Sequence, residues 1–448
     1  MKTPLEALWL FQHRCFSSCV YLVSAAIGAF AIAAGPSRGD PLLGDAMAAY
    51  STAEATDANP ANAGFLEQSQ FVYISEPIKD EQIKARYPGF DATTIATTGF
   101  SPPTARPALI FKIGPRIGLG GYVVPPLPIT VNLKKQRIPV VILGAQNFVD
   151  MNVGAKVDGL LGGTFGFRVN DHWGFGFGVT HQAVNFKAKL TASEGGQLLA
   201  DASGAASMTS LIGGIRAAII PGVMQIGLAA DLYGNQNISL DVQSPLLDNA
   251  GAAATSGIGG AKSDRWLPLN SILGGAQLGL GQRVRLLTDV RWTRADKSLS
   301  GFSLVSLKQA PQDLHDTVSV RAGAILSAMP RVNFLMGFHY EPTNIGPGAR
   351  GDQPLIGFGT INLVQVIAGL APLTPYTMLA AGFQAGLVPK RPPAARGNAR
   401  QEKGFYQLVL EGGLTYTYAS LGIDADGELP AAYLYRKIGI PIGLIYRF

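Results

Sequence analysis

Over much of its length the chain places an apolar residue at every second position. Ile226, Leu228, Ala230 and Leu232 alternate with Gln225, Asp231 and Tyr233, and Leu286, Thr288, Val290 and Trp292 with Leu287, Asp289, Arg291 and Thr293. Val318, Val320, Ala322 and Ala324 oppose Ser319, Arg321 and Gly323, while Val332, Phe334, Met336, Phe338 and Tyr340 oppose Asn333, Gly337, His339 and Glu341. In the final stretch Ile438, Ile440, Ile442, Leu444, Tyr446 and Phe448 share one face with Gly439, Pro441, Gly443 and Arg447 on the other, and Ile445 is out of step. Residues two apart lie on the same face of a strand, so each stretch predicts a β-strand with one apolar face and one face of small or polar residues.

Alternation suits a soluble β-sandwich as well as a barrel, and strand length separates them. Sandwich strands run about 5–6 residues. Trp173 to Leu190 and Val223 to Val242 are near-continuous strand patterns, long enough to cross a membrane at a tilt and project beyond it. The connections are of two kinds. Asn170-Asp171, Pro221-Gly222, Gly281-Gln282 and Pro330-Arg331 are tight links, and they alternate with long polar or Gly/Ala-rich loops at Thr191 to Ser207, Ser244 to Asp264 and Ser300 to His315. Short periplasmic turns alternating with longer outer loops are the pattern of outer-membrane barrels.

Composition agrees. Of 448 residues only 15% are charged, and the mean hydropathy is +0.20. Beyond the N-terminus, Gly, Asn, Gln, Asp or Arg interrupts every apolar run well short of the roughly 18 residues of a spanning helix. A membrane chain without such helices has to be a closed barrel, because hydrocarbon satisfies no backbone N–H or C=O. Lys2, His13 and Arg14 precede the apolar stretch Cys15 to Ala34, in which Ala31-Ile32-Ala33 forms an A-x-A-like cleavage site, so residues 1–33 are expected to be a signal peptide. Both cysteines, Cys15 and Cys19, fall inside it. The mature chain is then expected to hold no disulfide and no thiolate metal site; Cys19 follows Phe16-Ser17-Ser18 rather than an apolar core, which disfavours a lipoprotein.

The net charge of +6 is spread over strands and turns with no basic block, so no nucleic-acid partner is expected. The dense cluster from Lys390-Arg391-Pro392-Pro393 to Arg400 is Pro-rich and reads as a flexible connection. Of five histidines, His13 leaves with the signal peptide, and His172, His181, His315 and His339 stand beside no G-x-S-x-G or H-E-x-x-H motif. No enzyme, metal or cofactor is therefore expected. An outer-membrane lipase assembled from separate strands stays open as a lesser alternative.

Phe448 at the terminus, preceded by Tyr446 and Gly443, resembles the signature by which barrel-assembly machinery accepts its clients, although Pro441 stands where a polar residue is usual. The chain also resembles the long-chain fatty-acid transporter family (FadL- and TodX-like). The resemblance starts at Ala58-Asn59-Pro60-Ala61 and Gly64-Phe65-Leu66, followed by a first strand Gln70 to Ile78. It continues through Arg106-Pro107-Ala108-Leu109, Ile117-Gly118-Leu119-Gly120 and the hairpin Arg168 to Gly178, then Trp292 late in one strand and Asp316 opening the next. Order and spacing carry it, since Asn-Pro-Ala alone is a weak match.

The resemblance implies an all-β fold: a transmembrane antiparallel barrel of about fourteen strands, residues 70–448, with residues 34–69 as an N-terminal hatch plugging the lumen. It implies passive outer-membrane transport of a hydrophobic small molecule, a long-chain fatty acid or hydrocarbon, by a monomer embedded among lipid and lipopolysaccharide in a Gram-negative bacterium. Asn59, Pro60 and Ala61 would form the hatch turn, with a gating role or a merely structural one. Pro125, Pro126 and Pro128 follow the third strand and either shape a lateral opening or mark an outer loop where the strand has ended. Arg216, Arg291 and Arg321, with Lys156 less securely placed, fall on predicted lumen faces where an Arg can grip a carboxylate; Asp289 and Glu341 share those faces and are the more expected partners. The apolar stretch Leu355 to Leu373 is either a ligand-collecting surface or the start of a strand. A general porin, or a receptor barrel without transport, is the alternative.

Overall fold

The computed structural model describes residues 40–50, 52–53, 55–86, 93–100, 106–124, 127–137, 148–192, 196, 198–243, 269–294, 301–303, 308–310, 316–342, 376–389, 406–423 and 431–448. The signal peptide and the stretches Ser244 to Asp264, Leu355 to Leu373 and Lys390 to Arg400 lie outside them.

The strands are β1 (Gln70–Arg86), β2 (Thr93–Phe100), β3 (Arg106–Ile113), β4 (Ile117–Val124), β5 (Leu127–Arg137), β6 (Phe148–Arg168), β7 (Trp173–Ala192), β8 (Leu198–Ile220) and β9 (Met224–Gln243). They continue with β10 (Leu269–Leu280), β11 (Val284–Thr293), β12 (Gly301–Ser303), β13 (Lys308–Ala310), β14 (Thr317–Met329), β15 (Val332–Glu341), β16 (Tyr376–Pro389), β17 (Tyr406–Ile423) and β18 (Ala431–Arg447). From β6 onward neighbours in chain order pair antiparallel, except that β12 and β13 form a separate hairpin and β14 joins β11 directly. β18 returns to pair with β1 from Gln70↔Arg447 to Arg86↔Ala432, which closes the ring. β2 and β3 both pair with β1, and β4 and β5 both pair with β6, so the sixteen segments of the main sheet occupy 14 wall positions.

The tight turns are local chemistry. Gly114, Gly222 and Gly281 have φ of 64°, 77° and 66°, a left-handed backbone that glycine adopts without steric cost. At the β6–β7 link, Asn170 Oδ1 accepts from the N–H groups of His172 and Trp173, each at 2.8 Å, an Asx-type turn.

The two faces part as the alternation requires. Leu161, Phe177, Met336 and Leu379 are 63%, 59%, 63% and 53% exposed on the outside, whereas Asp289, Ser319, Arg321 and His339 are buried on the inside. Ile445, the out-of-step residue, faces inward and is buried with Ala53, Ala63 and Leu66. An apolar residue belongs on that inner face because the N-terminal chain covers it.

Three boundaries differ from expectation. β1 runs to Arg86 rather than ending at Ile78, because a bulge between Ser75 and Ile78 absorbs Glu76 and Pro77 and the ladder to β18 resumes beyond it. Much of the expected loop Thr191 to Ser207 is β8, paired to β7 from Leu198 onward; its Ala, Gly and Ser side chains hide the alternation, but the backbone pairs regardless. The expected loop Ser300 to His315 contains the β12–β13 hairpin.

An Arg at a midplane position of the lipid face costs about 2–4 kcal/mol. Met336→Arg, in the middle of β15, is expected to lower the unfolding free energy by roughly that amount, measured by urea titration in lipid vesicles.

Candidate functional site

The N-terminal segment from Asp40 to Leu66 folds into a 3-10 turn (Pro41–Leu43), one helical turn α1 (Ala55–Ala58) and a second 3-10 stretch (Pro60–Phe65). Too short to be stable alone, these turns are held by what surrounds them. Leu42, Leu43, Met47, Ala48 and Tyr50 pack with Ile212, Ala229, Leu273, Leu287, Ile325, Leu335 and Ala380, one inward residue from each of seven strands. Ala53, Ala63 and Leu66 pack with Val72, Ala108, Ile110, Tyr122, Val409 and Ile445 from the remaining side. The segment thus lies inside the barrel.

Backbone polar groups taken out of water need partners, and the wall supplies several. Asp289 Oδ2 accepts from the N–H groups of Met47 (2.6 Å) and Ala48 (2.8 Å). Asn59 is spent from both ends: Oδ1 accepts from Ala61 N–H at 3.1 Å, and Nδ2 donates to the carbonyls of Ala48 (2.8 Å) and Ile215 (3.0 Å). Asn62 Nδ2 donates to the Met47 and Ala55 carbonyls at 3.0 and 3.1 Å, and its Oδ1 accepts from Arg216 Nη1 at 3.0 Å. Lys112 Nζ donates to the Gly64 carbonyl. The Arg216 guanidinium lies 4.7 Å from the Phe65 ring centroid, with Arg168 at 5.6 Å from the same ring, a cation–π arrangement.

Contact this close needs inward positions without a Cβ. At Gly227 a Cβ would overlap the Ala48 carbonyl, and at Gly214 it would overlap the Asn59 side chain. At Gly166 it would lie 2.6 Å from the Pro60 oxygen. The wall is therefore shaped to this segment, and the glycines that broke the apolar runs of the sequence are where it sits.

The second feature is a break in the wall. β3 pairs with β1 from Gln70↔Ile110 to Ile74↔Arg106, and β2 pairs with β1 only from Ile78↔Phe100. Likewise β4 leaves β6 at Val124↔Leu160 and β5 takes over at Leu127↔Val157. β3 and β4 pair with each other, so the ring is complete near the tight turns. Farther from them, among the described residues, no ladder joins β2 to β5. The β1 bulge lies at the level where the break starts, and there Glu76 forms an ion pair with Lys437 and accepts from Thr415 Oγ1 at 2.7 Å.

Asn59, Pro60 and Ala61 open the second 3-10 stretch against β7 and β8. Pro128 is in β5 opposite Lys156, at the break; Pro125 and Pro126 lie outside the described residues. Arg216 is 2% exposed beneath the segment, bonded to Asn62 and Gln225. Arg321 approaches Glu341 at 3.8 Å, and Arg291 is on β11 with Asp289. Sequence reasoning missed Asn62, Lys112, Glu76 and Asp45. Asn62 follows Asn59 by one 3-10 turn, a legible signal; the others act through strand neighbours that no local spacing reveals.

The chain is thus a transmembrane β-barrel of outer-membrane type whose lumen holds its own N-terminal segment below a break in the wall. Its fold is similar to that of a FadL homologue from Pseudomonas aeruginosa, with a TM-score of 0.58 and 10% identity over 92% of this chain and 98% of that one. It is similar to the toluene transporter TodX of P. putida, with a TM-score of 0.58 and 12% identity over 92% of this chain and 99% of that one. A mutant of TodX described as a monoaromatic hydrocarbon channel aligns with a TM-score of 0.53 and 11% identity, over 92% and 98% of the two chains. No family model and no curated protein sequence matches the chain.

Asp289→Ala would leave the two amides of Met47 and Ala48 without their acceptor, about 1–3 kcal/mol for each buried group. Hydrogen exchange at those two amides is expected to quicken by about tenfold or more, while exchange in β14 and β15 is unchanged. Gly227→Val is expected to expel the segment while the barrel still forms, read as raised single-channel conductance in planar bilayers with intact heat-modifiable mobility on gels.

Proposed function

We propose that the chain is a passive transporter of hydrophobic small molecules across the outer membrane of a Gram-negative bacterium, and that its cargo leaves the lumen sideways into the bilayer. The observation that supports this reading is that, among the described residues, no ladder joins β2 to β5 above the seated N-terminal segment. An apolar solute is stopped by hydrated lipopolysaccharide, not by the hydrocarbon beneath it. A lumen that admits the solute past the polar layer and opens through the wall delivers it where it partitions favourably. Residues 34–69 act as the hatch: Asn59, Pro60 and Ala61 hold the turn seated on the β7 and β8 glycines, which blocks the straight path to the periplasm and favours lateral exit. In this reading Pro125, Pro126 and Pro128 favour the lateral opening, since proline donates no ladder hydrogen bond.

The structures described as a FadL homologue and as a toluene transporter support the same reading. In it the protein works as a monomer, without cofactor or catalysis, and is assembled through its C-terminal Phe448. A general porin would need an open lumen, and the burial of nearly every described residue between Asp40 and Leu66 argues against one.

Cells expressing the chain are expected to take up labelled toluene, labelled oleate or both faster than cells with an empty vector. Substitution of Pro125, Pro126 and Pro128 by Thr is expected to remove most of that gain with barrel assembly intact. Uptake no faster than in empty cells refutes transport, and unchanged uptake in the triple variant refutes the lateral route.

A further inference from the structure

Where the inner segment meets β15, three ionisable side chains from distant parts of the chain are joined in one line. His339 Nδ1 is 3.2 Å from Asp45 Oδ2, on the segment, and His339 Nε2 is 3.1 Å from Glu341 Oε2, on β15 itself. Asp45 and His339 are 1% and 2% exposed. A neutral imidazole carries one N–H and one lone pair. It can donate to one of the two carboxylates but turns a lone pair toward the other. Both contacts are hydrogen bonds only if the trio holds one proton more than a neutral imidazole between two ionised carboxylates.

The surroundings say where that proton resides. Arg321 of β14 is in register with His339 and lies 3.8 Å from Glu341, and Asp289 of β11 is in register with Arg321. Arg291 follows two residues along β11, and the β16 residue in register with His339 is the uncharged Met378. With the carboxylates of Asp45 and Glu341 ionised and Arg321 charged, an imidazolium brings the contacting groups to neutrality, the arrangement that a buried cluster favours. Asp45 itself has φ of 58°, directly after Gly44 at 62°, a left-handed backbone unusual for a residue with a side chain. Its side chain is tied to the wall at the point where the segment's backbone is least relaxed.

From this geometry we propose that Asp45, His339 and Glu341 form a proton-dependent latch that fastens the inner segment to the barrel wall, so that the segment loosens as pH rises. The proposal rests on reading the segment as a hatch. Removal of the shared proton costs one of two charge-assisted hydrogen bonds and leaves a buried carboxylate facing a lone pair. Of the two carboxylates, Asp45 is on the element that can move, so that contact is the one lost. His339 is a positioning residue, acting on the path through Asp45 and not on cargo.

The test uses the full chain reconstituted in liposomes, with Cys15 and Cys19 replaced by serine and one reporter cysteine, either Ala46→Cys beside the latch or Gln282→Cys in the exposed β10–β11 turn. Dividing the maleimide labelling rate at position 46 by that at position 282 removes the thiol's own response to pH. Between about pH 5.5 and about pH 8.5 the ratio is expected to rise about tenfold. In His339→Gln it is expected to be high and flat. Asp45→Asn, which leaves every wall residue in place, carries the same expectation should His339→Gln fail to assemble. A flat ratio in the parent, or a slope kept in both variants, overturns the latch. Uptake of toluene and oleate by the parent separates the two readings: uptake without a pH-dependent ratio leaves transport standing and removes the latch, whereas a pH-dependent ratio without uptake removes transport and keeps the latch.

Discussion

The constraint on which the structure depends is that a backbone crossing hydrocarbon must satisfy its own hydrogen bonds. Each strand needs a neighbour on both edges, so the sheet closes from β18 back to β1. Every irregularity in the wall is therefore conspicuous. The Ser75–Ile78 bulge, the passage from β3 to β2 along β1 and the passage from β4 to β5 along β6 coincide at one side of the barrel. Other ladders carry isolated bulges, as between β8 and β9 and between β16 and β17, but among the described residues only at this side does the edge of a strand pass from one partner strand to another. That exchange of partners, in a solvent that punishes unpaired backbone, is the observation on which the proposed lateral route rests.

The same accounting governs the interior. The inner segment has few regular hydrogen bonds of its own, and it survives burial because Asp289, Asn59, Asn62 and Lys112 satisfy its amides and carbonyls. Those polar anchors need the segment's backbone within hydrogen-bond reach of the wall, and the inward glycines of β8 and β9 make that approach possible. Removing an anchor leaves a buried group unsatisfied, while a bulkier residue at a glycine removes the space. The two changes act on the same docking by different physics.

Charge follows a similar logic. The lumen collects Asp289, Arg291, Arg321, His339 and Glu341 on adjacent strands of one side, and the ion pair Glu76–Lys437 stands near the wall break. Ionised groups are costly in a low-dielectric interior unless paired, so pairs and clusters are the stable form. Arg216, under the segment, instead spends its guanidinium on Asn62, Gln225 and the Phe65 ring.

Much of the barrel was legible from the sequence alone, because period-two alternation is a local consequence of a wall with lipid on one side. The lengths of β7 and β9, the tight turns at Asn170, Gly222 and Gly281 and the face assignments of β11, β14 and β15 all follow from neighbouring residues. Asn59 as a turn residue was legible for the same reason, since its cap on Ala61 N–H is made two residues away. The start of β8 was hidden, because Ala, Gly and Ser carry no alternation and only the partner strand β7 defines the pairing. Ile445 looked like an error of phase until the segment that covers it was in place. The meeting of Asp45 with His339, separated by 294 residues, and the seam between β2 and β5 belong to tertiary structure alone. They depend on where the closed sheet brings distant strands, and no spacing along the chain encodes which side chains a barrel will turn toward one another across its lumen.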